Sequence, residues 1–308
     1  MPIFDAHCDT LLTARQEGRF IHCREERGHV DFPRLREGGI AWQVLAICAG
    51  QGPVSPLAQV LIALRDLEQA LEADREAHLI KSAADFQREG LGLLLALEGG
   101  RPLEGSTEIL ELLYSLGLRS LGLTWNEAND LAVGVGAGPE GGLTPRGRKI
   151  VGRAAQLGMV LDVSHLNERS FWDLLDCPGQ PIASHSNCRA LCDHPRNLTD
   201  RQIKALASRN GVIGIAFYPP FLTAEGRAQV SHIVDHVVHI ASLVGVDHVG
   251  LGSDFDGMEQ LPLGIEDCRS FPNIIVGLKE AGFSSPELEK ILWKNWRRVY
   301  ERAMHGRE

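Results

Sequence analysis

Apolar residues along the chain fall into short, nearly unbroken runs separated by longer segments in which they recur every three or four positions. The runs at 3–7, 40–48, 91–97, 118–124, 159–164, 181–184, 212–217 and 248–252 are rich in Leu, Val and Ile and scarcely alternate with polar residues. That pattern predicts parallel strands covered on both faces. Between them, 57–74, 106–116, 146–157, 199–208 and 230–244 carry helical spacing, the first through Leu57, Leu61, Leu64, Leu67 and Leu71. Thr144-Pro145 and Thr199-Asp200 open two of these helices, and Gly158 closes one. Eight strands alternating with helices over about 250 residues predict a (β/α)8 barrel, an α/β fold, ahead of a doubly wound open sheet. Helices near 271–281 and 286–304 follow, with Trp293 and Trp296 expected to pack against the barrel. No linker, repeat or low-complexity segment interrupts the chain, so residues 1–308 read as one domain.

A barrel of this kind carries its chemistry at the C-terminal ends of the strands. The first run ends in His7-Cys8-Asp9, the third in Glu98, the fifth in His165, the sixth in His185 and the last in Asp254. Residues two apart on a strand share a face, so His7 and Asp9 can reach one point while Cys8 points away from it. Singly, each of these residues has an ordinary structural explanation as a cap, a turn or a satisfied core group. Together they place His, Asp and Glu at the same end of five strands. Six candidates exceed what one tetrahedral Zn2+ needs and suit two Zn2+ ions sharing a ligand. A carboxylate bridges two cations better than an imidazole does, which selects Glu98. His7, Asp9 and Glu98 would then hold one ion and Glu98, His165 and His185 the other, with a water or hydroxide shared between them. Asp254 is left beside the metals as an acid/base, a set that predicts hydrolysis of an amide or related bond without a protein nucleophile.

Composition narrows the picture. With 308 residues, 44% hydrophobic, 23% charged and a net charge of −9, the chain can bury a large core and argues against nucleic-acid binding. The seven dispersed cysteines form no CxxC, which fits reduced thiols better than a disulfide framework. No apolar run approaches the length of a membrane span, and no charged-then-apolar leader opens the chain, so a cytoplasmic protein without a membrane anchor is expected. Gly136–Gly141 matches GxGxxG but lies in a loop containing Pro139, and the dinucleotide reading fails there. His22, His29 and His194 read as surface or loop residues, and His232, His236 and His239 as a solvated helix face. Asn197-Leu198-Thr199 reads as an accidental sequon.

The combination His7-Cys8-Asp9, Glu98-Gly99-Gly100, Ser164-His165, Ser184-His185-Ser186, Pro195-Arg196-Asn197 and Gly252–Gly257 resembles the membrane dipeptidase (renal dipeptidase) family, a dizinc branch of the amidohydrolase superfamily. The likeness is collinear from residue 3 to about residue 300. It implies a dipeptidase acting on L-Xaa–L-Xaa substrates and extending to L-Xaa–D-Xaa, with the metal ligands named above and Asp254 as acid/base. It also implies that Arg196 pairs with the substrate's terminal carboxylate, a bidentate task that suits a guanidinium. A homodimer of a soluble, bacterial relative is compatible with it. Mammalian members carry a histidine after the fourth strand where this chain has Trp125. Trp cannot accept a proton or ligate zinc, so Trp125 is expected to line the pocket and Asn126 or Asn129 to stand in for the histidine. Tyr218 is a second candidate for the substrate pocket. The competing readings are hydrolysis of another amide, an N-acyl amino acid or a lactone, and a catalytically inactive binding barrel.

Overall fold

The computed structural model describes residues 1–50 and 52–305. Nine strands occur among them: β1 (Ile3–Cys8), β2 (Ile40–Ile47), β3 (Ala77–Leu79), β4 (Leu91–Glu98), β5 (Leu118–Gly122), β6 (Val160–Asp162), β7 (Gln180–Ile182), β8 (Ile213–Ile215) and β9 (Val249–Leu251). All their pairings are parallel, in the order β7-β6-β5-β4-β2-β1-β9-β8, while β3 flanks the start of β4. A further bridge between Ala183 and Ile213 brings β7 to β8 and nearly closes the eight-stranded path into a (β/α)8 barrel. The strands are shorter than the apolar runs suggest. The run at 159–164 yields only Val160–Asp162, because Val163 and Ser164 already turn towards the barrel mouth.

The expected helices form as Pro56–Ala73, Thr107–Leu116, Pro145–Gln156, Asp200–Ser208 and Val230–Val244. Their starts follow from local chemistry. The hydroxyls of Ser55, Ser106, Thr144 and Thr199 each accept a backbone N–H of the first turn, and Pro56 and Pro145 occupy first-turn positions where no N–H is missed. The helix expected over 286–304 is broken. Ser285–Glu289 leads into a π turn at Lys290–Lys294 before Asn295–His305. Beyond that wider turn Asn295 donates to the carbonyls of Val246 and Val249, and the Trp296 indole donates to Leu251 O at 3.0 Å.

Two apolar clusters result. Phe4, Ala6, Trp42, Val44, Leu94, Ala96, Val160 and Ile182 meet Trp296 and Tyr300, which closes the N-terminal end of the barrel with the C-terminal helix. The larger cluster joins the outer strand faces to the surrounding helices and includes Cys8. Strict alternation would place Cys8 with Ala6; a register irregularity between Asp5 and Cys8 separates them. The expected divergence of Cys8 from His7 holds, and Cys8 Sγ lies 3.5 Å from Val44 O. Among the described residues no helix is long and apolar enough to cross a membrane.

Candidate metal and substrate site

The strand ends converge at the C-terminal mouth. His7 Nε2 lies 3.7 Å from Asp9 Oδ2, 3.6 Å from Glu98 Oε2 and 3.8 Å from Asp254 Oδ1. Glu98 Oε1 lies 2.7 Å from His165 Nε2 and 3.6 Å from His185 Nε2, and the two histidine nitrogens are 2.9 Å apart. Separations near 3.6 Å exceed a hydrogen bond. They match ligands about 2.0–2.2 Å from a common tetrahedral ion, whose donors stand roughly 3.4 Å apart. His7, Asp9 and Glu98 form one donor group and Glu98, His165 and His185 a second, and a third overlapping group joins His7, His185 and Asp254. Glu98 is common to the first two.

The donor set fits divalent cations on several independent counts. His7 Nε2, Asp9 Oδ1 and Glu98 Oε2 are buried without a hydrogen-bond partner, although buried polar atoms are otherwise almost always paired. A Cβ on Gly257 would stand 2.3 Å from Asp9 Oδ2 and 2.8 Å from Asp254 Oδ1, so only glycine leaves that corner open. Charge points the same way. Burial opposes ionisation of Glu98, yet His7 and His165 outweigh it and hold its carboxyl well below the usual range. Burial likewise works against a charged His7, but Glu98 and Asp9 overcome it and raise its pKa well above 6.5. The carboxylates thus demand positive charge, which divalent ions would meet while leaving His7 neutral as a ligand. Burial lowers His165 to about 4, with Arg196 adding to the effect, so this imidazole stays neutral as ligation requires. His185 is driven well below 6.5 by burial, His7 and Arg196.

Two of these residues sit on unusual backbone. His165 and Asp254 follow β6 and β9 with φ of 68° and 67°, in the left-handed region that non-glycine residues seldom occupy. Such strain is typically held where a side chain must be aimed, and both side chains face the shared centre. Burial, reinforced by Asp9 and Glu98, pushes the Asp254 carboxyl well above its ordinary range.

A cavity of about 290 Å³ opens on this centre, lined by Asp9, Glu98, Trp125, Asn126, His165, His194, Arg196, Tyr218, Phe221, Asp254 and Gly257. Arg196 is buried under the Phe221 ring; one terminal nitrogen donates to His185 O at 3.3 Å and its Nε has no partner. Trp125 is 44% exposed, with its ring 6.0 Å from that of His165. Tyr218 stacks edge-on against Phe221 and borders both this cavity and a larger groove of about 930 Å³.

Several residues behave differently from expectation. Asn126 Oδ1 lies 2.8 Å from His165 Nδ1, so it orients a histidine and is not free to replace one. Asn129 is engaged by Leu123 O and by the N–H groups of Leu131 and Ala132. His236 is fully buried: its Nδ1 accepts the Cys188 N–H and its Nε2 meets Leu222 O, because the helix it sits on packs that face against the loop after β7. His29 exchanges two hydrogen bonds with Asp256, which also pairs with Arg19, and so anchors the loop carrying Asp254. Asp162 and Ser184, buried at the ends of β6 and the β7 run, are hydrogen-bonded to each other behind the histidines, a role the sequence patterns do not assign to them. A lone acid inside an otherwise apolar strand was the available signal.

The sequence matches the family model described as Membrane dipeptidase (Peptidase family M19) over residues 1–307. The chain belongs to the membrane dipeptidase family. An uncharacterized protein in the pqqA 5′ region of Klebsiella pneumoniae is 38% identical over 80% of this chain and 96% of its own length. An uncharacterized dipeptidase of Schizosaccharomyces pombe is 32% identical over 97% of this chain and 80% of its own. Among solved structures, the metallopeptidase dipeptidase AC superposes with a TM-score of 0.92 at 29% identity, covering 99% of both chains. A metallopeptidase from Rhodobacter sphaeroides, liganded with a phosphinate mimic of the dipeptide L-Ala-D-Ala, gives 0.88 at 29% identity and covers 98% of this chain and 99% of its own. Membership of the membrane dipeptidase family supports a metal-dependent hydrolase acting on dipeptides.

Proposed function

We propose that this protein is a dizinc dipeptidase that cleaves L-Xaa–L-Xaa and L-Xaa–D-Xaa dipeptides. The observation that carries the reading is the convergence of two donor triads through Glu98, with three buried donor atoms unpaired, in the same cavity as Arg196. His7, Asp9 and Glu98 hold one Zn2+ ion, and Glu98, His165 and His185 the other. When bound, such ions supply Lewis-acid polarisation of the scissile carbonyl and lower the pKa of the attacking water.

The protein's own groups do the rest. The Arg196 guanidinium clamps the substrate's terminal carboxylate and so fixes the distance of the scissile bond from Asp254. Asp254, whose proton affinity is raised by burial and by Asp9 and Glu98, would be ionised once the charge of bound ions offsets those carboxylates. In that form it takes a proton from the attacking water and returns it to the leaving amine. Trp125 and Tyr218 line the pocket and bound the room for the substrate's side chains. The cavity lies at or below the small end of ligand pockets, in keeping with a dipeptide, and the mimic bound to the Rhodobacter relative supports tolerance of a D-residue at the C-terminal side. The decisive experiment is hydrolysis of L-Ala-L-Ala and L-Ala-D-Ala by metal-stripped protein before and after Zn2+ is restored. Zinc-dependent cleavage is expected. Absence of cleavage by protein carrying two ions would move the substrate to another amide, an N-acyl amino acid or a lactone.

A further inference from the structure

The hydroxyl of Ser184 lies between one carboxylate and two histidines. It donates its proton to Asp162 Oδ2, and it stands 2.7 Å from His185 Nδ1 and 3.4 Å from His7 Nδ1. A hydroxyl has one proton and two lone pairs. Because the carboxylate oxygen can only accept, that proton is committed to Asp162, and both imidazoles must donate their Nδ1–H to Ser184. Their Nε2 atoms are then lone-pair donors, and both Nε2 atoms face Glu98. His165 is set the same way by Asn126 Oδ1. The other oxygen of Asp162 accepts the backbone N–H groups of Ser164 and Ser184, each at 3.0 Å. It thereby ties together the two loops that carry His165 and His185.

We infer that Asp162, acting through the Ser184 hydroxyl, is a positioning residue that sets the tautomer of one histidine in each metal site. The inference rests on the dizinc reading of the cluster and adds to it a coupling between the two ion sites. The shorter contact makes His185, and so the ion it shares with His165, the more sensitive of the pair.

The geometry makes Asp162→Asn a sharper perturbation than Ser184→Ala. The carbonyl of an asparagine must stay on the two backbone N–H groups, which turns its amide towards Ser184. Ser184 then accepts that donor and must give its own proton to His185 Nδ1. His185 is forced to carry its proton on Nε2, the atom that should ligate. Ser184→Ala only releases the imidazoles to choose either tautomer. The test is Zn2+ affinity and stoichiometry of the full chain, by titration against a chromophoric chelator, with the fold checked by circular dichroism and histidine tautomers read from 15N chemical shifts.

Wild-type protein should bind two ions. Ser184→Ala should weaken the ion on the His165–His185 side by about ten- to a hundredfold, and Asp162→Asn by about a hundredfold or more. Variants that bind both ions as tightly as wild type would overturn the inference, and so would a larger loss in Ser184→Ala than in Asp162→Asn. If Asp162→Asn fails to fold, the loss in Ser184→Ala alone decides. Wild-type protein that takes up no ion would instead refute the underlying metal reading.

Discussion

At the residue scale, the division of labour around Glu98 turns on which carboxyl resists ionisation. Glu98 is held charged by His7 and His165, whereas burial and the neighbouring Asp9 and Glu98 raise the proton affinity of Asp254 well above the ordinary carboxylate range, which suits it to hold and return a proton. Asp254→Asn preserves the side chain's shape and removes its proton chemistry. It is expected to retain metal and fold while kcat falls by about 10²–10⁴; a wild-type rate would remove Asp254 from the mechanism. Arg196 allows a test of substrate class. If its guanidinium binds a terminal carboxylate, wild-type protein should strongly prefer a dipeptide to its C-terminal amide, and Arg196→Ala should erase that preference by lowering kcat/KM for the free acid about ten- to a hundredfold per lost charge-assisted bond. Arg196→Lys should restore little, since an ammonium cannot make the paired contact. Equal losses on acid and amide would argue for an uncharged substrate such as a lactone.

At the element scale, the strand ends were legible because a parallel strand buried on both faces leaves a continuous apolar run, and the first polar residue after it marks the barrel mouth. That reading located His7, Glu98, His165, His185 and Asp254 at a common rim. Other features were illegible for definite reasons. Thr10–Glu17 and Phe32–Glu37 are short helices whose apolar positions are too few to show a period. Residue patterns also say nothing about which long-range partner a polar side chain meets, so the contacts of Asp162, Ser184 and Asn126 with the histidine-bearing loops are visible only in the fold. His236 is the clearest miss. Its i+3 and i−4 neighbours His239 and His232 are polar and partly exposed, yet its own ring joins Val230–Val244 to the loop after β7. Burial lowers its pKa from 6.5 to about 4. The unfolded chain therefore binds a proton that the folded chain refuses as pH falls from 6.5 towards 4, and stability declines across that window. Wild-type protein should lose about 1 kcal/mol more than His236→Gln between pH 7 and 5.5 in denaturant titrations. Glutamine keeps a donor and an acceptor but does not titrate in this range, so matching pH slopes would show that His236 does not control this transition.

At the scale of the whole molecule, the cluster of Asp9, Glu98 and Asp254 sits where five strands end, so its electrostatics bear on the barrel's closure as well as on chemistry. Those strands, β1, β4, β6, β7 and β9, lie along the path β7-β6-β5-β4-β2-β1-β9, and the last join of the barrel, between β7 and β8, is a single bridge at Ala183 and Ile213. Ser184 follows that bridge directly, and its carbonyl would lie 1.8 Å from a Cβ placed on Gly252. The last join of the barrel and the histidine-setting hydroxyl therefore occupy the same short stretch of chain. Ions bound to His185 and to His7 would tie β7 to β1 across the mouth and offset the repulsion among the carboxylates. Binding of this kind stabilises the folded state by about 4 kcal/mol at a thousandfold excess over Kd, which for a domain of this size corresponds to a melting-temperature shift of roughly 6 °C. Chelation followed by verified metal removal should lower the melting temperature by that order, and readdition of Zn2+ should restore it together with activity. Hydrogen exchange gives the local counterpart: on metal removal, amides of 181–186 and 213–217 should lose protection before those of β2 and β4. An unchanged melting temperature in protein shown to be metal-free would mean that the barrel closes without help from its ions, and would confine them to the chemistry.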